Sequence, residues 1–340
     1  MGMARKVKAA RSVTACTTVL ALAVFGTPAI AGAQTGATCN GLPATIEVTN
    51  PLNTVFGTKG DDVIVVVRNS DGMSSFPTID TGEGDDSICI RVDGVSPDLY
   101  DSLGDVTIDA GPGDDYVLGS PGPESVDAGD GRDFIRAGAG DDWLSGGAGQ
   151  DEIWAQAGDD FVFGEDGHDF LHAGPGNDEV DAGRGDDVVF GGKGEDFMLG
   201  GLGYDVMRGG KDSDTIYANG LEFPGPGSVA DVPDTDGNEL YGGGAADFLV
   251  GSSGDDVLRG GNGQDGVFGQ EGDDFLRGGN GEDVMAGGLG NDDVRGGGHA
   301  DVIFIEGPDV TSGSSGPDTC FLVNDEPTGP LDSCEEILDF

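Results

Sequence analysis

The chain has 340 residues, 66 of them Gly, and sets 64 acidic side chains against 16 basic ones for a net charge of −48. Like charge at this density repels itself in a compact state, and a Gly-rich chain loses much entropy on ordering. An ordinary cation-independent globule is therefore excluded: the chain is either disordered or neutralised by an external cation. The charge also opposes a nucleic-acid partner, and no basic, aromatic-interleaved segment stands out along the sequence.

Residues 1–33 differ from the rest. Arg5, Lys6, Lys8 and Arg11 form a basic start, Val13 to Phe25 is mostly apolar, and Ala31-Gly32-Ala33 offers a small-x-small cleavage site. That is the pattern of a secretory signal. The run is too short to span a bilayer, and no other stretch is long and apolar enough to do so. Cys16 precedes the apolar run instead of following it, which argues against lipidation. Without the leader, 12 basic and 64 acidic side chains remain, a net −52, and the expected location is extracellular. Four cysteines then remain, Cys39, Cys89, Cys320 and Cys334, an even number that suggests two disulfides in an exported chain. Of the three pairings, Cys39–Cys89 with Cys320–Cys334 is preferred, because each pair lies within one terminal region.

Residues 34–109 read as an N-terminal cap. They hold two displaced copies of a motif that becomes regular downstream, Gly57-Thr58-Lys59-Gly60-Asp61-Asp62 and Thr81-Gly82-Glu83-Gly84-Asp85-Asp86, spaced 24 residues apart. Longer apolar runs such as Val63 to Val67 suggest wider coils that close an exposed edge.

From 110 to 217 the chain divides into twelve nine-residue units without insertion, and from 242 to 304 into seven more. Position one is Gly or Ala in all nineteen. Position four is Gly except at Asp212, Ala245 and His299. Position six is Asp except at Glu124, and position eight is always apolar. The apolar residue reads as a very short strand with one inward side chain, and the glycines permit a tight, crowded turn. Two units then make one 18-residue coil. A core of one guaranteed apolar residue in nine is thin: roughly 1.5–3 kcal/mol per side chain falls short of roughly 1–2 kcal/mol per ordered residue. Bound metal would supply the difference.

The unit resembles the Gly-Gly-x-Gly-x-Asp-x-apolar-x repeat of RTX (hemolysin-type) calcium-binding proteins. The resemblance implies an all-β, right-handed parallel β-roll with Ca²⁺ between loops of successive coils, held by Asp carboxylates and loop carbonyls. The implied ligands at position six are Asp115, Asp133, Asp142, Asp151, Asp160, Asp169, Asp178, Asp187, Asp196, Asp205, Asp214, Asp247, Asp256, Asp265, Asp274, Asp283, Asp292 and Asp301. At position five, Asp141, Asp159 and Asn177 share one side of the first block, and Asp255, Asp273 and Asn291 share one side of the second. Those Asp- and Asn-bearing sides are expected to bind Ca²⁺ more tightly. Same-side neighbours within the two blocks give a ceiling of about fifteen sites, each of about 10⁻⁴–10⁻³ M as in extracellular modules.

Residues 218–241 interrupt the array with Pro224, Pro226 and Pro233. Residues 233 to 241 hold a decayed unit, with Asn238 at position six and Leu240 at position eight, which makes the true insertion nearer fifteen residues. It is expected to loop out of one continuous roll. Residues 305–340 lose the phase and read as a C-terminal cap pinned by Cys320 and Cys334.

No catalytic motif is present: the chain lacks Gly-x-Ser-x-Gly and His-Glu-x-x-His, and His168 and His172 fall at loop and strand end, too far apart for a shared metal. Positions seven and nine are too mixed for flat Thr rows suited to ice. Trp143, Trp154, Phe161 and Phe163 are expected to fill the flanks of the roll, with a binding strip as the other reading. The function expected is a secreted, calcium-folded scaffold, adhesive or facing a cell-surface or polysaccharide partner. The alternative is a polysaccharide-acting enzyme built on the roll. A Ca²⁺-free interior and a Ca²⁺-rich exterior would make folding follow export.

Overall fold

Each nonapeptide becomes one strand and one turn, and successive strands alternate between two sheets. The computed structural model describes residues 37–49, 54–69, 78–93, 105–219, 234–306, 309–312, 318–323, 331–332 and 334–339. The leader at 1–33 and most of the 218–241 insertion lie outside these residues. Two fifteen-stranded parallel sheets make up the structure, with one short antiparallel pair, Thr38–Cys39 with Leu42–Pro43. The front sheet contains Tyr116–Leu118, Phe134–Ala139 and Glu152–Ala157. The back sheet contains Glu124–Gly131, Trp143–Gly149 and Phe161–Gly167. Within a sheet the register advances by 18 residues, as in Ile135↔Ile153 and Leu144↔Val162.

Strands are longer than the sequence suggested. A regular strand has six residues and runs from position seven into position three, with positions seven and nine outward and positions eight and one inward. The core therefore contains every position-eight side chain, from Val117 to Ile303, and the position-one alanines Ala128, Ala155 and Ala182, all essentially without exposure. Positions two and four take positive φ, about 100° at Gly183 and 136° at Gly185. There the turn of one coil lies directly on the next: a methyl on Gly185 would stand 1.2 Å from the Gly167 carbonyl oxygen. Asp212, Ala245 and His299, the three non-glycine residues at position four, keep the same backbone at φ 71°, 106° and 85°.

Across the insertion the register jumps by 33 residues, 18 plus fifteen, with Met207↔Leu240 and Ile216↔Leu249 in direct pairing. One roll thus passes through the interruption. At the amino end the coils are wider: Ile64 pairs with Ile88 and Ile88 with Val117, offsets of 24 and 29. The run Val63–Val67 is apolar throughout because both its faces are covered. Ile64 and Val66 join the main core, while Val63, Val65 and Val67 pack with Cys39 and Cys89 beneath the Thr38–Pro43 hairpin. Disulfides join Cys39 to Cys89 and Cys320 to Cys334, one at each end of the roll.

Candidate metal centre

The position-six aspartates point into the roll, none more than 3% exposed. They form two ladders. In each step Oδ1 accepts the backbone N–H of the position-six residue one coil earlier: Asp151 N–H to Asp169 at 2.8 Å and Asp169 N–H to Asp187 at 2.7 Å on the front side, Asp160 N–H to Asp178 at 2.9 Å on the back. The front ladder runs from Asp62 to Asp309 and the back ladder from Glu124 to Asp318. Asp214 N–H to Asp247 carries the back ladder across the insertion, a pair that the ceiling of fifteen, taken block by block, leaves out.

The second oxygen is the informative one. In seventeen of the eighteen expected ligands Oδ2 is buried without a hydrogen-bond partner, Asp256 being the exception. Instead, oxygens face it. A methyl on Gly164 would stand 2.7 Å from Asp169 Oδ2 and 2.4 Å from the Ala182 carbonyl, and one on Gly191 would stand 2.3 Å from Asp196 Oδ2 and 2.9 Å from the Gly209 carbonyl. Carboxylate and carbonyl oxygens thus converge with no donor hydrogen between them. A buried acceptor left unpaired is costly, and oxygen-only coordination is what a hard divalent cation such as Ca²⁺ takes. No group of three or more His, Cys, Asp or Glu side chains converges among the described residues. A cation seated there could be held by one or two stacked carboxylates together with main-chain carbonyls.

Electrostatics agree with the geometry. Burial is the largest cause raising these carboxyls: Asp196 and Asp178 to about 7, Asp274 to about 8 and Asp205 to about 9. Neighbouring carboxylates add to the rise, and the ladder hydrogen bonds oppose it. At two irregular units the protein itself satisfies the ladder, once with a neutral amide donor and once with a cation from the N-terminal cap. At Asn238, Oδ1 still accepts the Asp205 N–H at 2.7 Å, while Nδ2 donates to Asp234 Oδ2, the Asp236 carbonyl and Ser252 Oγ. Beside it Asp256 Oδ2 accepts the Ser252 N–H at 2.6 Å. At Glu124, where the back ladder starts, the fully buried Arg68 offsets part of the carboxylate's charge.

Position five lies on the outer edge of the turn. Asp141, Asp159 and Asn177 are exposed and point along the axis, each accepting the backbone N–H of the next coil: Asp159 N–H to Asp141 at 3.0 Å, Asn177 N–H to Asp159 at 2.9 Å and Glu195 N–H to Asn177 at 2.9 Å. Asp255 and Asp273 do the same. These side chains stand outside the inward ladder, because consecutive strand and turn residues face opposite ways. The two Asp/Asn series also lie on different sides of the roll, since Asp142 belongs to the back ladder and Asp256 to the front. His168 Nδ1 accepts the Asp186 N–H, whereas His172 stacks on Trp154, so the two histidines serve different neighbours. Trp143 and Phe161 lie on the outer face at 51% and 42% exposure, because position seven faces away from position eight. The sequence missed that position six is enclosed. Its near-invariance beside a variable position five was the available signal.

Parallel coils lined by two inward carboxylate ladders, with main-chain carbonyls facing several of the carboxylates, make a β-roll suited to oxygen-bound cations. The profile of the RTX calcium-binding nonapeptide repeat matches in overlapping copies over residues 98–220 and 241–304, more than half of the chain. The chain belongs to this family of calcium-binding repeat proteins and binds several calcium ions. Among solved structures it is similar to a hyperactive, Ca²⁺-dependent, β-helical antifreeze protein from an Antarctic bacterium, at 18% identity and a TM-score of 0.36, over 79% of this chain and 83% of that one. No curated protein matches it.

Proposed function

We propose that this is an exported scaffold protein that calcium folds outside the cell, each ion bridging position-six carboxylates on stacked loops of one side of the roll. The observation that supports this reading is the set of seventeen buried Oδ2 atoms that meet no donor, with main-chain carbonyl oxygens facing those of Asp169, Asp196, Asp205, Asp274 and Asp283. Position-six Oδ2 and loop carbonyls hold the ion, and the position-five side chains order the loop backbone around it. The charge left after the leader, −52, keeps the metal-free chain expanded, and filling the ladders removes the self-repulsion that opposes packing. The two disulfides fit an oxidising compartment and pin the ends where coils lack a neighbour. An extracellular scaffold, adhesive towards a cell surface or polysaccharide, is the role that a long, rigid, acidic roll suits. Circular dichroism of the purified chain without its leader, metal-stripped and then titrated with Ca²⁺, tests the reading. At about pH 8, above most of the raised carboxyl values, sheet signal is expected only with Ca²⁺; the same sheet-rich state there after exhaustive stripping, with no calcium uptake in calorimetry, refutes it.

A further inference from the structure

Beyond calcium binding, we infer that the outer face of the front sheet is a docking strip for a linear acidic polysaccharide. Position nine faces outward on both sheets. On the front sheet the pairing brings Arg136, Arg208, Arg259, Arg277 and Arg295 into a single row. Trp154, His172, Phe190 and Tyr241 fill the rungs between them. Five of the 12 basic residues beyond residue 33 fall in this row, and from Leu118 to Ser312 it contains no acid. The roll does not require this: the same position on the back sheet carries Asp127 and Asp181 and no basic residue among its described rungs. The sequence hides the strip because its members stand 18 or 33 residues apart.

The row has the chemistry of a ligand surface. Rungs are about 4.8 Å apart, so nine of them span about 38 Å along the axis. Arg259, Arg277 and Arg295 occupy consecutive rungs, an arrangement of like charges that an anion relieves. Arg295 bonds Asp293, and Arg259 bonds the Tyr241 hydroxyl at 3.0 Å, but Arg136 and Arg277 have neither hydrogen bond nor ion pair among the described residues. All five arginines are exposed. Between the charges, Trp154 stacks on His172 at 4.8 Å, and the Arg208 guanidinium lies over Phe190 and Tyr241 at 5.4 and 5.2 Å. Guanidinium forks match carboxylates, and the half-buried rings give sugar rings an apolar step between them. A polymer with carboxylates at intervals fits the part of the row where rings separate Arg136, Arg208 and Arg259, and its charge is met by the three consecutive arginines beyond. A continuous polyphosphate would meet the acids of the adjoining row, Glu152, Glu239 and Asp293.

Hyaluronan is a suitable probe, used with the full chain beyond the leader at saturating calcium, with circular dichroism confirming the fold. Binding is expected, weakening with salt, and absent for neutral dextran. The double variant R259S/R277S is expected to weaken it about tenfold. R132S/R184S, which removes two exposed arginines outside the row, should leave it unchanged. No binding by protein shown to be folded, equal losses in both double variants, or tighter binding of single-stranded DNA than of hyaluronan would overturn the inference. Failure of the calcium reading would show separately, as a missing sheet signal.

Discussion

Asp196 offers the sharpest test of the ladder, because Asn and Ala remove different parts of its task. Its Oδ1 accepts the Asp178 N–H at 3.0 Å, its own N–H donates to Asp214, and its Oδ2 has no donor. Asn keeps the Oδ1 acceptor and replaces Oδ2 with an amide that can donate to the Gly209 carbonyl, as Asn238 does to its own neighbours. D196N should therefore stay folded and lose only calcium. At about 10 mM Ca²⁺ and a site Kd of about 10⁻⁴–10⁻³ M, linkage gives about 1.4–2.7 kcal/mol per site. Asp196 stands between Asp178 and Asp214, so two sites share it and the expected loss is about 3–5 kcal/mol. D196A additionally strands the buried Asp178 N–H, at a further cost of about 1–3 kcal/mol. Urea unfolding followed by circular dichroism gives the stabilities, and calorimetry counts the ions. If D196N binds as many ions with unchanged affinity, Oδ2 is not a ligand and the argument from orphaned oxygens fails.

Acidity should act oppositely on the metal-free and calcium-loaded chains. Asp133, Asp160 and Asp178 rise to about 7 in the folded state, so between the ordinary carboxylate value of about 4 and about 7 the fold holds protons that the unfolded chain has released. That stability is fully present below about 4 and lost as pH rises through about 7. Metal-stripped protein should gain sheet signal on acidification to about pH 5, and calcium uptake near pH 6–7 should release protons into the buffer; a flat response of the stripped protein would contradict the burial of these groups. A245G should stabilise the calcium-loaded roll by about 1 kcal/mol in urea unfolding, since Ala245 holds φ 106° where L-residues are strained. N238D should trade the amide that bonds Asp234 and Ser252 for a second carboxylate oxygen, adding an ion in calorimetry and making stability in this stretch calcium-dependent.

The repeat made the coil, its 18-residue rise and the stacking of position eight legible, because strict phase over nineteen units leaves one way to bury an apolar residue every nine. Asn238 and Leu240 were legible too, as a decayed unit; Asn238 carries the front ladder past the insertion and Leu240 carries the core. Periodicity is silent on direction within the turn. It could not show that Asp142 faces inward while Asp141 lies along the axis, since both are acidic and adjacent and only the alternation of facing in the folded turn separates them. The same silence hid the arginine row: a residue type at one position on five of nine alternate units, from Arg136 to Arg295, looks sporadic along the chain. In a roll, distance along the axis is counted in coils, so surfaces are written in every second repeat. The inward ladders are nearly uniform because each Oδ1 must meet the backbone N–H of the coil before it. The outer rows are free to differ between the two sheets, and that freedom is where a calcium-binding array of this kind acquires a partner of its own.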